Sequence, residues 1–322
     1  MQPVTYNKTN FLRSKITKMN SEHPVTENLQ HQLFQLSDMQ GKRVELSYSG
    51  NDISSDGGLL LLRELEKQTG IISGMSKCIT DDRDQRYIDH SLEQLLSQRI
   101  YQIAAGYEDA NDCDELRGDS IFKICSGKLP QSGGDLASQP TMSRFENSVN
   151  RSELYRIAKH IASCFINSYE SEPEVIIIDC DDTNNNAHGN QLQIEYNHYY
   201  GEYCFMPLHI YEGLSGKLIT TILKPGRRSK STDVFAILKR VIRFIRKHWC
   251  QTKIITRGDS HFCSKEHMDW AKGRYKVSFI TGLTGNKKLH KLSEMTKESA
   301  EKLYAVEKKP VTRYHTFSLN NS

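Results

Sequence analysis

Three aspartates close the run Val175-Ile176-Ile177-Ile178-Asp179-Cys180-Asp181-Asp182-Thr183, and another stands in Arg257-Gly258-Asp259-Ser260 behind a second apolar run. Carboxylates at the ends of buried strands are hard oxygen donors on a rigid base, which suits Mg²⁺. Two such ions roughly 3.5 to 4 Å apart can activate an attacking water or 3′-hydroxyl and stabilise the leaving oxygen of an in-line displacement. Strand side chains alternate in direction, so Asp179 and Asp181 share a face and Asp182 points away. Asp181 and Asp259 are therefore the first choice of metal ligands and catalytic acids, with Asp179 the second choice for the first acid. Aspartates at strand ends also serve as caps and turn residues, so the pair needs its context.

The elements that must position these acids lie past Glu172-Pro173, where the texture turns to strands. A buried strand is predicted over 175–181, followed by strands over 203–211 and 217–223 flanking a Glu212-Gly213-Leu214-Ser215-Gly216 hairpin connection. A helix follows Ser231-Thr232-Asp233 with the apolar stripe Val234, Ile237, Leu238, Val241, Ile245 and Trp249. Then come a strand over 253–257, a helix over 264–272 and a strand over 276–282. This order predicts an α/β fold of the ribonuclease-H-like kind, a mixed sheet in which the first and fourth strands lie side by side. Upstream, residues 1–40 read as a poorly ordered arm and 41–170 as a mainly helical N-terminal domain; the catalytic domain spans 171–322. Within the helical part a strand is predicted over 43–48 and a helix from Leu59 to Gln68. Two apolar stripes follow, at Leu92, Leu95, Leu96, Ile100, Ile103, Ala104 and at Leu154, Ile157, Ala158, Ile161, Cys164, Phe165.

At 322 residues and 37% hydrophobic content, the chain is long enough for two ordinary cores. No apolar run approaches the roughly 20 residues a membrane span needs, and the N-terminus lacks a secretory signal, so a cytoplasmic location is expected. The cysteines form no C-x-x-C pair, which argues against zinc, and Cys164 and Cys180 read as small core residues. Charge is unevenly placed: residues 224–257 carry +10 of a net +4, leaving −6 on the remainder. A local field of that size suits a polyanion such as DNA, although basic helix faces are often merely solvated. Lys224, Arg227, Arg228 and Lys230, just past the third strand, are the candidate phosphate contacts.

Two families share parts of the Asp179–Thr183 pattern. As D-x-D-x-T it resembles the nucleophile motif of haloacid-dehalogenase-like phosphatases, which would make Asp179 the nucleophile. That reading lacks its acidic partner, because the residue four beyond Asp259 is Cys263, and Asn184 follows Thr183 where an apolar residue is wanted. The longer segments SSDGGLLLLRELE, RYIDHSLEQLLSQRIYQIAAGYEDANDCDELRGD, LASQPTMSRFEN, IDCDDTNNNAHGNQ, YYGEYCFMPLHIYEGLSGKLITTILKPG and ITRGDSHFC decide otherwise. Together they resemble bacterial insertion-sequence transposases of DDE domain group 1, in the insertion-sequence family numbered thirteen-eighty, over residues 41–317. The resemblance implies a ribonuclease-H-like core, a DNA-binding N-terminal domain and two Mg²⁺ ions. It also implies cleavage of double-stranded DNA at element ends with strand transfer to a target, by a homo-oligomer on the bacterial nucleoid. Its first catalytic acid falls on Asp181 and its second on Asp259.

In that family the third acid follows a Trp-containing strand inserted after the last core strand. Residues 309–317 resemble the start of that strand, so the chain is expected to be incomplete at its C-terminus, with the third acid absent and activity lost or badly impaired unless another chain contributes that acid. Glu294, Glu298, Glu301 and Glu307 come earlier and read as one solvated face of a Lys/Glu helix. A non-catalytic DNA-binding or inhibitory fragment is the alternative function. His188, His198 and His261 lie near the acids but read as structural hydrogen-bonding residues. The aromatic run Tyr196, Tyr199, Tyr200, Tyr203 and Phe205 reads first as core packing and second as a stacking surface for unpaired bases.

Overall fold

The computed structural model describes residues 36–44, 54–187, 189, 191–226, 231–262, 264–283 and 285–316, without the side chains of Ser231, Thr232 and His261. The arm expected over 1–40 and the strand expected over 43–48 fall mostly outside these residues. The chain runs through helices α1 (Leu59–Thr69), α2 (Ile71–Ser76), α3 (Leu92–Ala104), α4 (Asp112–Leu116), α5 (Ser120–Cys125), α6 (Gln139–Ser148) and α7 (Arg151–Asn167). Strands β1 (Val175–Asp182), β2 (Asn185–Asn186), β3 (Glu195–Asn197), β4 (Glu202–Phe205), β5 (Leu208–Glu212) and β6 (Leu218–Ile222) follow. Helix α8 (Ser231–His248), strand β7 (Lys253–Gly258), helix α9 (Lys265–Lys272), strand β8 (Val277–Thr281) and helix α10 (Lys287–Glu307) complete the order. Among the described residues no helix is long and apolar enough to cross a membrane.

Two compact units divide the chain: Met1–Gln68 with Arg83–Asn147, and Thr69–Asp82 with Ser148–Ser322. In the first, α3 starts at a capping box between Ser91 and Gln94. Its buried face is not the stripe that apolar spacing predicts. Leu95, Gln98, Tyr101 and Gln102 face inward, while Ile103 is exposed. The carboxamide of Gln98 donates to the Ala137 carbonyl at 2.8 Å and accepts the Ala137 N–H at 2.9 Å. The Cys113 thiol donates to the Gln102 carboxamide oxygen. With both its bonds made, Gln98 is buried at little cost, and a hydrophobic periodicity cannot register it; the Gln102 amide nitrogen and the Tyr101 hydroxyl on the same face have no hydrogen-bond partner among the described residues.

The second unit holds a mixed five-stranded sheet in the order β6-β5-β1-β7-β8. β5 pairs antiparallel to β1 and β6 to β5, whereas β7 runs parallel to β1 and β8 to β7. One sheet face, carrying Ile176, Ile178, Leu208, Ile210, Ile219 and Ile254, packs in a single core with Phe165 and Ile166 of α7 and Val234, Leu238 and Ile245 of α8. Each such side chain stabilises the fold by about 1.5–3 kcal/mol. Of the second predicted stripe, Phe165 reaches this core, but Leu154 is exposed.

The strand expected over 203–211 is two strands in two sheets. β4 ends at Phe205 and belongs to a small sheet β2-β4-β3, and β5 begins at Leu208. Pro207 stands at the break; without an N–H it cannot continue a central ladder.

Glu212 closes the hairpin end of β5 from inside. Fully buried, it accepts the N–H groups of Ile177, Leu214 and Ser215 and the Ser215 hydroxyl, at 3.0, 3.1, 2.7 and 2.7 Å. Burial by itself raises its pKa, but the Ile177 N–H and the Ser215 and Leu214 donors outweigh it and hold the carboxyl below its usual value. A depressed carboxylate stabilises fully above its ordinary pKa of 4.5 and loses that contribution as pH falls through the folded value. Glu212→Ala is predicted to lower unfolding stability by roughly 1–3 kcal/mol at pH 7. In urea titrations the deficit against the parent should shrink as pH falls below 4.5.

Candidate active site

The ladder between β1 and β7 keeps a constant offset, pairing Val175 with Lys253 through to Asp179 with Arg257, 78 residues apart each time. Asp181 and Asp259 differ by the same number, so the register carried two residues past its last pair brings Asp181, within β1, and Asp259, one residue after β7, to the carboxyl ends of adjacent parallel strands. Burial fixes their face. Ile176, Ile178 and Cys180 on β1 and Ile254 and Thr256 on β7 point into the core, which sends both acids to the opposite face, where both are exposed. Beyond Gly258 the chain enters a tight turn, Ser260–Phe262, in which the Phe262 N–H donates to the Asp259 carbonyl at 3.2 Å. A Cβ at Gly258 would lie 3.0 Å from the Phe262 side chain, so glycine lets Phe262 fold back into the core directly after the strand. Cys180, between the acids in sequence, is no nucleophile at neutral pH: burial, then the carboxylates of Asp179 and Asp182, push its thiol up to about 12.

The other two acids of β1 have cations. Asp179 accepts a bidentate pair from Arg257 at 2.7 and 2.5 Å, and this bonding raises the guanidinium pKa. A Cβ at Gly213 would lie 2.5 Å from the Asp179 carboxylate, so a side chain there would displace this ion pair. Asp182 accepts from Lys224 at 2.5 Å, with both side chains about nine-tenths buried. Asp181 makes no ion pair among the described residues.

Sequence reasoning missed His209. It is the antiparallel partner of Asp181 and shares its face, which puts their Cβ atoms about 5 Å apart. Thr221 lies opposite His209 in turn, with its hydroxyl 2.9 Å from Nδ1. A row of Thr221, His209 and Asp181 thus crosses three strands toward Asp259. The available signal was the alternation Leu208-His209-Ile210, whose inward leucine and isoleucine turn the histidine to the acid face, but the pairing that joins it to Asp181 lies in the tertiary structure. Of the histidines singled out, His188 and the side chain of His261 lie outside the described residues. His198 is exposed, its ring edge-on to Tyr196.

The basic segment is divided. Lys224, expected on phosphate, is held by Asp182, and Arg227, Arg228 and Lys230 lie outside the described residues. Arg246 donates to the carbonyls of Trp249, Thr252, Tyr275 and Lys276 at 2.6–3.2 Å, fastening the end of α8 to the starts of β7 and β8. Arg240, Arg243 and Lys247 are exposed along α8. Glu294, Glu298, Glu301 and Glu307 are exposed on α10, which buries no residue. Among the described residues no group of three or more His, Cys, Asp and Glu gathers closely enough to hold a metal ion.

Residues 36–320 match the family model described as Transposase DDE domain group 1. The chain belongs to this transposase family. A comparison with curated proteins finds no match. Among solved structures, the piggyBac transposase synaptic complex with hairpin DNA is similar at 14% identity and a TM-score of 0.37, covering 74% of this chain and 53% of that one. The chain thus spans about half the length of that transposase. The Mos1 strand transfer complex follows at 10% identity, 78% and 85% coverage and a TM-score of 0.24. The Drosophila P element transposase strand transfer complex stands at 9% identity, 63% and 48% coverage and a TM-score of 0.22. Family membership rests on the family model alone. It sets aside the phosphatase reading, whose nucleophile Asp179 is in any case bound by Arg257.

If Lys224 is structural, Lys224→Met leaves Asp182 buried without its cation and should lower unfolding stability by about 3 kcal/mol in urea titrations. Lys224→Met/Asp182→Leu should recover most of that loss, whereas a pure phosphate contact predicts unchanged stability in both variants.

Proposed function

We propose that this transposase-family chain cuts double-stranded DNA at the ends of a bacterial mobile element and transfers the cut strand, with Asp181 and Asp259 as two of its metal-binding acids. The observation that supports this reading is the parallel register of β1 and β7, which carries both exposed acids to adjacent strand ends on one sheet face. The strand order, with β5 and β6 antiparallel and β7 and β8 parallel to β1, supports a ribonuclease-H-like core. Both donors are hard carboxylate oxygens, which fits Mg²⁺, and Asp181 keeps no cation of its own among the described residues. A divalent cation bound there would lower the pKa of a water or 3′-hydroxyl and stabilise the oxygen leaving phosphorus. The chain's own groups set the stage: Arg257 keeps Asp179 occupied, Lys224 keeps Asp182 occupied, and His209 stands beside Asp181 to orient a phosphate oxygen or a water. Work on element ends implies assembly of copies on DNA and residence where the bacterial chromosome lies.

A second reading, DNA binding without cleavage, is favoured by one observation: no third acid joins the pair among the described residues. Incubating the purified chain with duplexes carrying the element ends and Mg²⁺ separates the two. Catalysis predicts strand cleavage that Asp181→Asn or Asp259→Asn each lowers on the order of 10²-fold or more, since a metal ligand supplies several kcal/mol of transition-state stabilisation. Glu294→Gln, Glu298→Gln and Glu301→Gln should leave cleavage unchanged. Retarded DNA without any Mg²⁺-dependent nick would instead support the binding-only reading.

A further inference from the structure

We infer that Thr221 holds His209 in the tautomer that carries its proton on Nε2, and that this N–H donates to a non-bridging phosphate oxygen of the strand being cut. The inference rests on the DNA-cutting role proposed above. It decides between the two groups, phosphate oxygen and water, that His209 could orient there.

The arrangement is built into the sheet. Thr220 is buried and donates to the Ala158 carbonyl of α7 at 3.2 Å, which turns its neighbour Thr221 to the opposite, acid-bearing face. His209 is the cross-strand partner of Thr221 on one side and of Asp181 on the other. The Thr221 hydroxyl, 2.9 Å from Nδ1, makes the hydrogen bond this ring has among the described residues. In an imidazole whose Nδ1 faces β6, Nε2 lies at the far edge of the ring, on the β1 side. That edge therefore looks toward exposed Asp181, and Nε2 is left for a ligand.

The place of the proton follows from charge. A hydroxyl can donate to Nδ1 or accept from it, and the bond made at one ring nitrogen sets the state of the other. Beside a carboxylate, a lone pair on Nε2 is repelled and an N–H is favoured. The Thr221 hydroxyl thus donates to Nδ1, and the proton stays on Nε2. An N–H cannot take a proton from an attacking water. Its fitting partner is an acceptor, and at a scissile bond of DNA the exposed acceptors are the non-bridging phosphate oxygens. Charge spreads over those oxygens during transfer, where a donor already in place lowers the barrier most. His209 is then a catalytic residue and Thr221 a positioning residue.

Single-turnover cleavage of an element-end duplex in Mg²⁺, together with nitrogen–proton correlation spectra of the histidine rings, tests this on the full chain. His209→Leu should slow cleavage by about 10²- to 10³-fold with duplex affinity unchanged. His209→Gln, which keeps an N–H at the ε position, should recover part of the rate. Thr221→Val should slow cleavage by about 10- to 100-fold, and Thr221→Ser should cut as the parent does. The parent spectrum should show His209 protonated on Nε2, and Thr221→Val should show a mixture of tautomers. Urea midpoints verify folding, and a purely structural Thr221 would move the midpoint without moving the tautomer. An unchanged rate in His209→Leu, or a proton on Nδ1 in the parent, overturns the inference and leaves the DNA-cutting role standing. A parent that cuts no duplex overturns that role and the inference with it.

Discussion

The site depends on one constraint, the parallel register between β1 and β7. Ile176, Ile178 and Ile254 are completely buried, so a slip of one residue would drive the charged positions into the core and the isoleucines out of it. With the register locked, two acids from distant parts of the chain arrive at adjacent strand ends on the same face. Packing on one side of the sheet thereby fixes which residues face outward on the other. The hairpin after β5 is tied into the same frame, since Glu212 binds the Ile177 N–H in the middle of β1.

Electrostatics then sorts the acids. Several carboxylates crowded at one strand end would repel one another, and each would resist ionisation. Arg257 and Lys224 neutralise the members on either side, and Gly213 gives Arg257 room to do so. What remains is Asp181, facing outward beside His209 at the strand end adjacent to that of Asp259. Part of the basic segment from Lys224 to Arg257 is thus used inside the fold, Lys224 and Arg257 on acids and Arg246 on backbone carbonyls.

Much of this was legible from residue order. The apolar run before Asp179, the stripe of α8 and the Arg257-Gly258-Asp259 turn predicted the strands, the covering helix and the position of Asp181 and Asp259 at strand ends. Three features were not legible, each for a physical reason. Gln98 and Gln102 occupy an inward face that hydrophobic spacing assigns to Ile100 and Ile103; Gln98 makes both its bonds to Ala137, while Gln102 accepts from Cys113 through its carboxamide oxygen alone. Pro207 divides one apparent strand between two sheets. His209 acquires its place only through pairing with Asp181, a contact that no local pattern encodes. The exposed tyrosines of the small sheet reverse a composition-based reading, since aromatic residues beside strands usually pack inward.

The central claim is geometric, and a cysteine pair tests it directly. Neighbouring strands lie about 4.8 Å apart, and a disulfide spans Cα separations of about 4.4–6.8 Å. Asp181→Cys/Asp259→Cys, oxidised mildly and mapped by mass spectrometry of its peptides, is predicted to form the 181–259 disulfide as readily as the in-ladder pair Asp179→Cys/Arg257→Cys. Cross-linking of the in-ladder pair alone would contradict the account, because Asp181 and Asp259 would then not stand side by side.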